Sequence, residues 1–244
     1  MNDCITTYLG TIDYRVAWDL QRSLASKHLF NVLLLLQHPH TITLGRRALE
    51  EDILVSKNYL MTKKIELVSI DRGGEVTYHG PGQLVGYPIV DLRSLNKGPL
   101  QYIRALEEML KACLLEFGIQ GRCIKGKTGV WVRDKKIGAI GIKVSRGITM
   151  HGFAINVTTD LTYFDYIVPC GMKNCRTTSM ESILGYKIKM EDVKQSIISN
   201  FQRVLNIKCV PVEKSLLYAS LSDSPADSPL TDLTLKGTRL ATYE

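Results

Sequence analysis

Two stretches of the 244-residue chain hold residue types that binding and covalent chemistry need. The first is Arg72-Gly73-Gly74-Glu75-Val76-Thr77-Tyr78-His79-Gly80-Pro81-Gly82-Gln83. Adjacent glycines after a strand let backbone N–H groups come close to a ligand. Arg72 offers a charged fork, and Thr77, His79 and Gln83 offer polar side chains. The block is neither a P-loop nor a G-x-G-x-x-G nucleotide fingerprint, because the spacing differs and no helix follows. The second stretch is Ile167-Val168-Pro169-Cys170-Gly171-Met172. A Cys between Pro and Gly belongs on a loop, where its thiol is available as a nucleophile. A free thiol with a pKa of about 8.5 is only about 3% ionised at neutral pH, so it needs a cation beside it. Lys136 and Lys143, on a glycine-flanked strand, are the candidate cations, with His79 and His151 as neutral hydrogen-bond partners. Each block also has a plainer reading: a Gly-rich bend as a turn, a loop Cys as an inert thiol. His38-Pro39-His40 is the one close His pair, and without a third ligand nearby no metal site is expected.

The elements that must hold these residues are legible from periodicity and breakers. Asp13 is placed to cap a helix through Tyr14, Ala17, Trp18 and Leu24. Val32 to Leu36 reads as a strand buried on both faces and ended by Pro39. A short helix is expected within Ile53–Thr62, then a strand over Ile65–Ile70. Between Asp71 and Pro88 the glycines and prolines exclude a helix or a long strand, with strand character resuming over Leu84–Leu92. Pro99 starts the clearest helix, whose apolar spacing runs to Phe117 before Gly118 stops it. A hairpin follows, Gly129–Arg133 and Lys136–Val144 about a turn at Asp134-Lys135. Gly138 and Gly141 lie inside its second strand, where glycine marks a bulge or a close approach. His151–Val157 is a further strand, and a last helix spans about Glu191–Leu205. Strands outnumber helices without strict alternation, so the fold class is α/β, an α+β mixed sheet with helices packed on it. Residues 1–221 form one domain. Residues 222–244 are too polar to bury a core and are expected to be a disordered tail.

Composition bounds the function classes. Hydrophobic residues are 45% and charged residues 23%, ordinary for a globular enzyme. The longest apolar run, Val32 to Leu36, is far below the ~20 residues of a membrane span. The formal charge is +7, which favours an acidic partner. The basic residues look scattered, aromatics are only 7%, and no nucleic-acid-binding spacing occurs, so an acidic protein fits better than nucleic acid. The six cysteines show no Cys-x-x-Cys spacing, which suits a reducing compartment. No secretory or acid-poor transit segment is seen at the start of the chain.

Four blocks together carry a resemblance: Arg72–Gln83, Lys136-Ile137-Gly138-Ala139-Ile140-Gly141, His151-Gly152-Phe153-Ala154-Ile155-Asn156 and Pro169-Cys170-Gly171. In this order they resemble the lipoyl(octanoyl) transferases, over about Tyr8–Leu205. The resemblance implies a single domain similar to the catalytic domain of biotin and lipoate protein ligases. It implies transfer of an octanoyl group from octanoyl-acyl carrier protein to a specific lysine of lipoyl domains, with no cofactor. The implied acceptors are the lipoyl domains of 2-oxoacid dehydrogenase complexes and the glycine cleavage H protein. The family's acyl-accepting cysteine falls on Cys170 and its paired lysine on Lys136. The family's acyl-binding segments fall on Arg72, Gly73, Gly74, Glu75, Val76, Thr77, Tyr78 and His79, on Ala139, Ile140 and Gly141, and on Gly152, Phe153 and Ala154. Gly138 and Gly141 are expected to leave room for the eight-carbon chain. Cys175 stands outside the pattern and reads as a bystander, with an oxidation partner for Cys170 as the alternative. The wording of the middle blocks suggests a mitochondrial branch, with a cytoplasmic bacterial enzyme as the alternative. An ATP-dependent lipoate or biotin ligase of the same fold is the alternative activity, and a non-catalytic acyl-protein or nucleic-acid binding module is a third reading.

Overall fold

The computed structural model describes residues 3–171 and 175–222, without the side chains of Cys170 and Ser222; residues 172–174 and the expected tail from 223 to 244 lie outside that description. The chain opens with β1 (Asp3–Thr11), followed by α1 (Tyr14–Lys27), whose first amides at Arg15 and Val16 are capped by the Asp13 carboxylate. Then come β2 (Asn31–Gln37), β3 (Thr41–Leu44), α2 (Lys57–Thr62), β4 (Glu66–Ser69), β5 (Val76–His79) and β6 (Gln83–Ile89). The long helix α3 (Pro99–Glu116) leads into β7 (Arg122–Ile124), β8 (Lys127–Val132), β9 (Lys135–Ser145) and β10 (Ile148–Asn156). The chain continues through β11 (Arg176–Thr177), α4 (Met180–Leu184), α5 (Met190–Leu205), β12 (Lys208–Pro211) and α6 (Lys214–Ser222).

Among the described residues the strands form a large mixed sheet in the order β12-β1-β2-β6-β10-β9-β8-β7, with β11 added beside β9, and a small sheet in the order β4-β3-β5. Strand β2 is central, and its uninterrupted apolar run has a physical cause. Leu33 and Leu35 face α3 and α5, packing with Tyr102, Leu106, Leu110, Ile197 and Phe201. Val32, Leu34 and Leu36 face the other side, against Ala17, Leu20 and Leu24 of α1. A strand covered on both faces by helices loses the polar alternation of a half-exposed one. The small sheet has its own core of Ile42, Leu60, Val76, Tyr78, Phe164 and Ile167.

Several elements differ from expectation. The short helix expected around Ile53–Thr62 is present as α2 over Lys57–Thr62 only, with a separate 3-10 turn before it at Glu50–Asp52. Strand β6 matches the strand expected over Leu84–Leu92, beginning one residue earlier, and it tolerates Gly86 and Pro88. Pro88 faces Leu33 of β2, and on its other side the β10 ladder has already ended at Phe153–Gly86. No ladder hydrogen bond is therefore lost to the missing N–H. Gly152 makes this possible: a Cβ there would fall 2.5 Å from Pro88 Cδ and 2.2 Å from the Gly86 oxygen. Strands β1 and β12 and helix α6 were not expected. Thr6 and Thr7 put polar residues in β1, although both are buried.

Candidate active site

A cavity of about 410 Å³ opens between the two sheets. One wall is β9 and β10, contributing Ala139–Ile142 and Gly152–Ala154; the facing wall is the Arg72–Glu75 loop and the start of β5. Of the fourteen expected acyl-binding residues, thirteen line it. Tyr78 does not. Alternation along β5 turns Thr77 and His79 to the cavity and sends Tyr78 into the small-sheet core, where its hydroxyl lies 2.7 Å from His40 Nδ1.

The Gly-rich loop is fixed on both sides. Arg72 Nη2 donates to the Thr43 carbonyl (3.1 Å), Thr43 Oγ1 (2.9 Å) and the Glu75 carbonyl (2.8 Å), and its Nη1 donates to Gly73 O (3.1 Å). The Gly73 amide donates to Ile142 O of β9 at 3.0 Å. The guanidinium is thus a clamp on the loop backbone, in a residue that also lines the cavity. The expected role of two glycines changes. At Gly138 a Cβ would point at Leu110 in the helix-side core, and Gly138 does not line the cavity. At Gly141 the Cβ space is filled by Arg72 Cδ and Gly73 O, each at 3.1 Å. Both glycines admit other parts of the protein, and the acyl-sized space lies beyond them.

Lys136 is buried in the cavity wall, with Nζ 5.5 Å from the Trp131 ring centroid. Lys143 is the less suitable cation for the thiol. Its Nζ is engaged by Asp71 Oδ2 at 2.6 Å, and Asp71 Oδ1 takes His151 Nε2 at 2.7 Å. The hydrogen bond from His151, supported by Lys143, holds the Asp71 carboxyl well below the usual carboxylate range. Burial keeps His151 below its ordinary value despite that partner.

His79 is held differently. Gln83 Nε2 donates to Asn156 Oδ1 (2.9 Å) and Tyr78 O (3.2 Å), so Gln83 Oε1 accepts from His79 Nδ1–H at 2.7 Å. Asn156 Nδ2 then donates to Thr178 O (3.0 Å), and the Thr178 amide donates to Lys136 O (2.9 Å). One chain of bonds therefore links the His79 ring to the Lys136 backbone. Burial pushes His79 down to about 3, so its Nε2 is an unprotonated acceptor at neutral pH.

The Cys170 side chain is outside the described residues, but its backbone neighbours are placed. Before it, the Val168 amide donates to Asp52 O at 2.7 Å and Ile167 bridges Ile53, fixing the segment to the small-sheet layer. After it, Gly171 faces the cavity-lining Glu75, with 3.3 Å between a built Cβ and Glu75 Cγ. The chain then returns as β11, where Thr177 pairs with Lys136 itself. Lys136 is thus tied through β11 to the segment that follows the Pro169–Gly171 turn, and the turn itself approaches the cavity at Glu75.

Sequence reasoning missed several supporting residues. Glu107 lies on the buried face of α3; its carboxylate accepts the Gly129 amide at 2.9 Å and pairs with Arg104, fixing β8 where the Lys136 stem passes. A lone Glu at an apolar helical position was the available signal. Tyr14 and Tyr87 also line the cavity, and Tyr87 meets His38 Nε2 at 2.7 Å.

Comparison with known proteins follows the same lines. A family model described as the lipoyl protein ligase A/B catalytic domain matches residues 13–202. An octanoyltransferase from Koribacter versatilis is 43% identical over 91% of this chain and 93% of its own length. The chain belongs to the octanoyltransferases. Another member, from Caldicellulosiruptor saccharolyticus, is 45% identical over 91% of this chain and 97% of its own. The fold is also that of a lipoate-protein ligase A solved with ATP, at TM-score 0.72 and 18% identity over 93% of this chain and 96% of the other.

Proposed function

We propose that this octanoyltransferase moves an octanoyl group from octanoyl-acyl carrier protein to a lipoyl-domain lysine through an acyl-thioester on Cys170. Acceptors of the stated class are the lipoyl domains of 2-oxoacid dehydrogenase complexes and the glycine cleavage H protein. In the first step the Cys170 thiolate attacks the donor's thioester carbonyl, a C–S bond to Cys170 forms, the donor's own C–S bond breaks, and the carrier leaves as a thiol with the proton that Lys136 gives up. One thioester replaces another, so the step is near thermoneutral. In the second, the lipoyl-domain amine attacks the new thioester, a C–N bond forms, the C–S bond breaks, and the amine's proton passes to Lys136. Amide formation is downhill and needs no ATP. Lys136 serves both halves, as a cation beside the thiolate and as the neutral base for the incoming amine.

The observation that carries this reading is the buried Lys136 in the wall of an acyl-sized cavity, paired through its backbone to the strand that follows the Cys170 turn. Around it, Ile140, Ile142, Phe153 and Ala154 supply apolar surface for the chain. His79, held neutral, adds a hydrogen-bond acceptor without adding charge. The ligase alternative draws on the shared fold and on a family model that spans both ligase types, whereas the relatives at 43–45% identity carry the transferase name. Those relatives are bacterial, which favours the cytoplasmic setting; the mitochondrial one rests only on the wording of the His151–Phe153 and Ile167–Cys170 blocks.

The test mixes purified protein, octanoyl-acyl carrier protein and a lipoyl domain after enzymatic removal of ATP. Octanoylation of the lipoyl-domain lysine by wild type and none by Cys170→Ser is expected. A requirement for ATP, or full turnover by Cys170→Ser, contradicts the mechanism.

A further inference from the structure

Helix α3 buries one charge. Every other buried residue of the helix is apolar or Tyr102, yet Glu107 lies among them with no exposed surface. A carboxylate in such a place is costly unless its oxygens are held. One oxygen pairs with the guanidinium of Arg104, one turn away. The other leaves the helix and accepts the Gly129 amide of β8 at 2.9 Å. Glu116, further along the same helix, makes the contrast: its carboxylate holds Ser196 and Asn200 of α5.

Gly129 stands at an unusual point of the sheet. Its φ is +115°, where side chains are rarely tolerated. A Cβ built on it would fall 2.4 Å from Gly138 O, 2.7 Å from Lys136 Cε and 3.3 Å from Lys136 Nζ. The Lys136 stem and amine therefore lie directly against the Gly129 backbone. Beside them the β8–β9 ladder slips: Val130 pairs with Gly138 and Trp131 with Lys136, leaving Ile137 as the extra residue. A bulge of this kind bends its strand and re-aims a neighbouring side chain. Here that neighbour is Lys136.

We infer that Glu107 is a positioning residue for the transfer reaction: its bond to the Gly129 amide fixes the bulged β8–β9 segment and so sets where the Lys136 amine stands in the cavity wall. The inference rests on the proposed role of Lys136 as the partner of Cys170. Glu107 itself is not among the residues that line the cavity. Without its bond the Gly129 amide is buried and unpaired, and the backbone against which Lys136 packs is free to shift. A displacement of about 1 Å can cost about 10²-fold in rate. Such a role has a signature that general stability lacks. An amine out of place stabilises the Cys170 thiolate less, so the pH at which Cys170 ionises moves together with turnover.

The test reads two quantities on the intact enzyme. One is kcat and KM with octanoyl-acyl carrier protein; the other is the pH midpoint for iodoacetamide alkylation of Cys170, followed on its own peptide. Glu107→Ala should lower kcat by about 10- to 100-fold with little change in KM, and raise the midpoint by about one pH unit, in the direction of Lys136→Met. Glu107→Gln keeps an oxygen for the Gly129 amide and should recover most of both. Glu116→Ala, which loosens α3 from α5, should lower Tm and leave both unchanged. If the alanine protein does not fold, Glu107→Asp is read in its place; it keeps the charge, shortens the reach by one methylene, and should shift both quantities the same way by less. Wild-type values in the Glu107→Ala or Glu107→Asp protein would overturn the inference. So would a Glu107→Gln protein as impaired as the alanine one, which would assign the effect to charge, or an equal shift in Glu116→Ala, which would assign it to stability. If Lys136→Met itself leaves the midpoint and turnover at wild-type values, the reading of Lys136 fails and the inference with it; if Lys136→Met moves them and no Glu107 variant does, only the inference fails.

Discussion

Lowering the pH from 7 to 5 should destabilise this protein through its buried histidines, before any carboxylate is titrated. An unfolded histidine protonates near pH 6.5. In the folded chain burial pushes His79 down to about 3 and His38 down to about 4. Between those values and 6.5 the unfolded state binds more protons, so stability is present above pH 6.5 and is lost as the pH falls. At pH 5 each histidine has given up about 2 kcal/mol, about 4 kcal/mol for the pair, a large share of a typical 5–15 kcal/mol. His151 adds to the same trend, since burial lowers it as well. Asp71 acts in a separate window: its carboxyl is held low, so its stabilisation is lost only below the ordinary carboxylate range. Urea unfolding at pH 7 and pH 5 reads the difference, and His79→Gln and His38→Gln should each remove about half of it. Nitrogen chemical shifts of the imidazoles in the folded wild type should report neutral rings at pH 5.5. A stability change below about 1 kcal/mol, or protonated rings in the folded protein at that pH, would refute the reasoning.

Shortening the donor should lower kcat/KM by about fourfold per methylene, from about 0.8 kcal/mol of apolar burial each; a flat series from eight carbons to four would mean that the chain does not enter the cavity. Gly152→Ala should cost about 1–3 kcal/mol, because its Cβ would meet the Gly86 oxygen and Pro88 in mid-sheet, and should lower Tm by several degrees; an unchanged Tm contradicts the packing account. Lys136→Met should lower turnover by about 10²–10⁴-fold at unchanged Tm, the usual range for a lost general acid–base group; activity within a few-fold of wild type would remove Lys136 from the chemistry.

Much of this site is written locally in the sequence. The Arg72–His79 block apart from Tyr78, the Ala139–Gly141 and Gly152–Ala154 strand segments and Lys136 all meet at one cavity; the family resemblance of contiguous blocks named them, since each block is a local pattern. Tyr78 was misassigned because a contiguous motif hides the two-residue alternation of β5. That Arg72 and Gly141 meet was not legible: Arg72 Cδ and Gly73 O occupy the space that a Cβ at Gly141 would need. The His79–Gln83–Asn156–Thr178 chain joins residues up to 73 positions apart, and no spacing rule reaches that far. Strand β6 was legible over Leu84–Leu92, and it holds Pro88 because the β10 ladder has ended there. Strand β12 pairs with β1 across the length of the domain and carries too little periodicity to be read alone.

The most direct test of the central claim is the intact mass of the enzyme after brief exposure to octanoyl-acyl carrier protein, without ATP and without a lipoyl domain. A single octanoyl increment on wild type, mapped to the peptide containing Cys170 and missing from Cys170→Ser, is the predicted result. An unmodified wild type that nonetheless octanoylates a lipoyl domain, or an adduct that persists in Cys170→Ser, would contradict it.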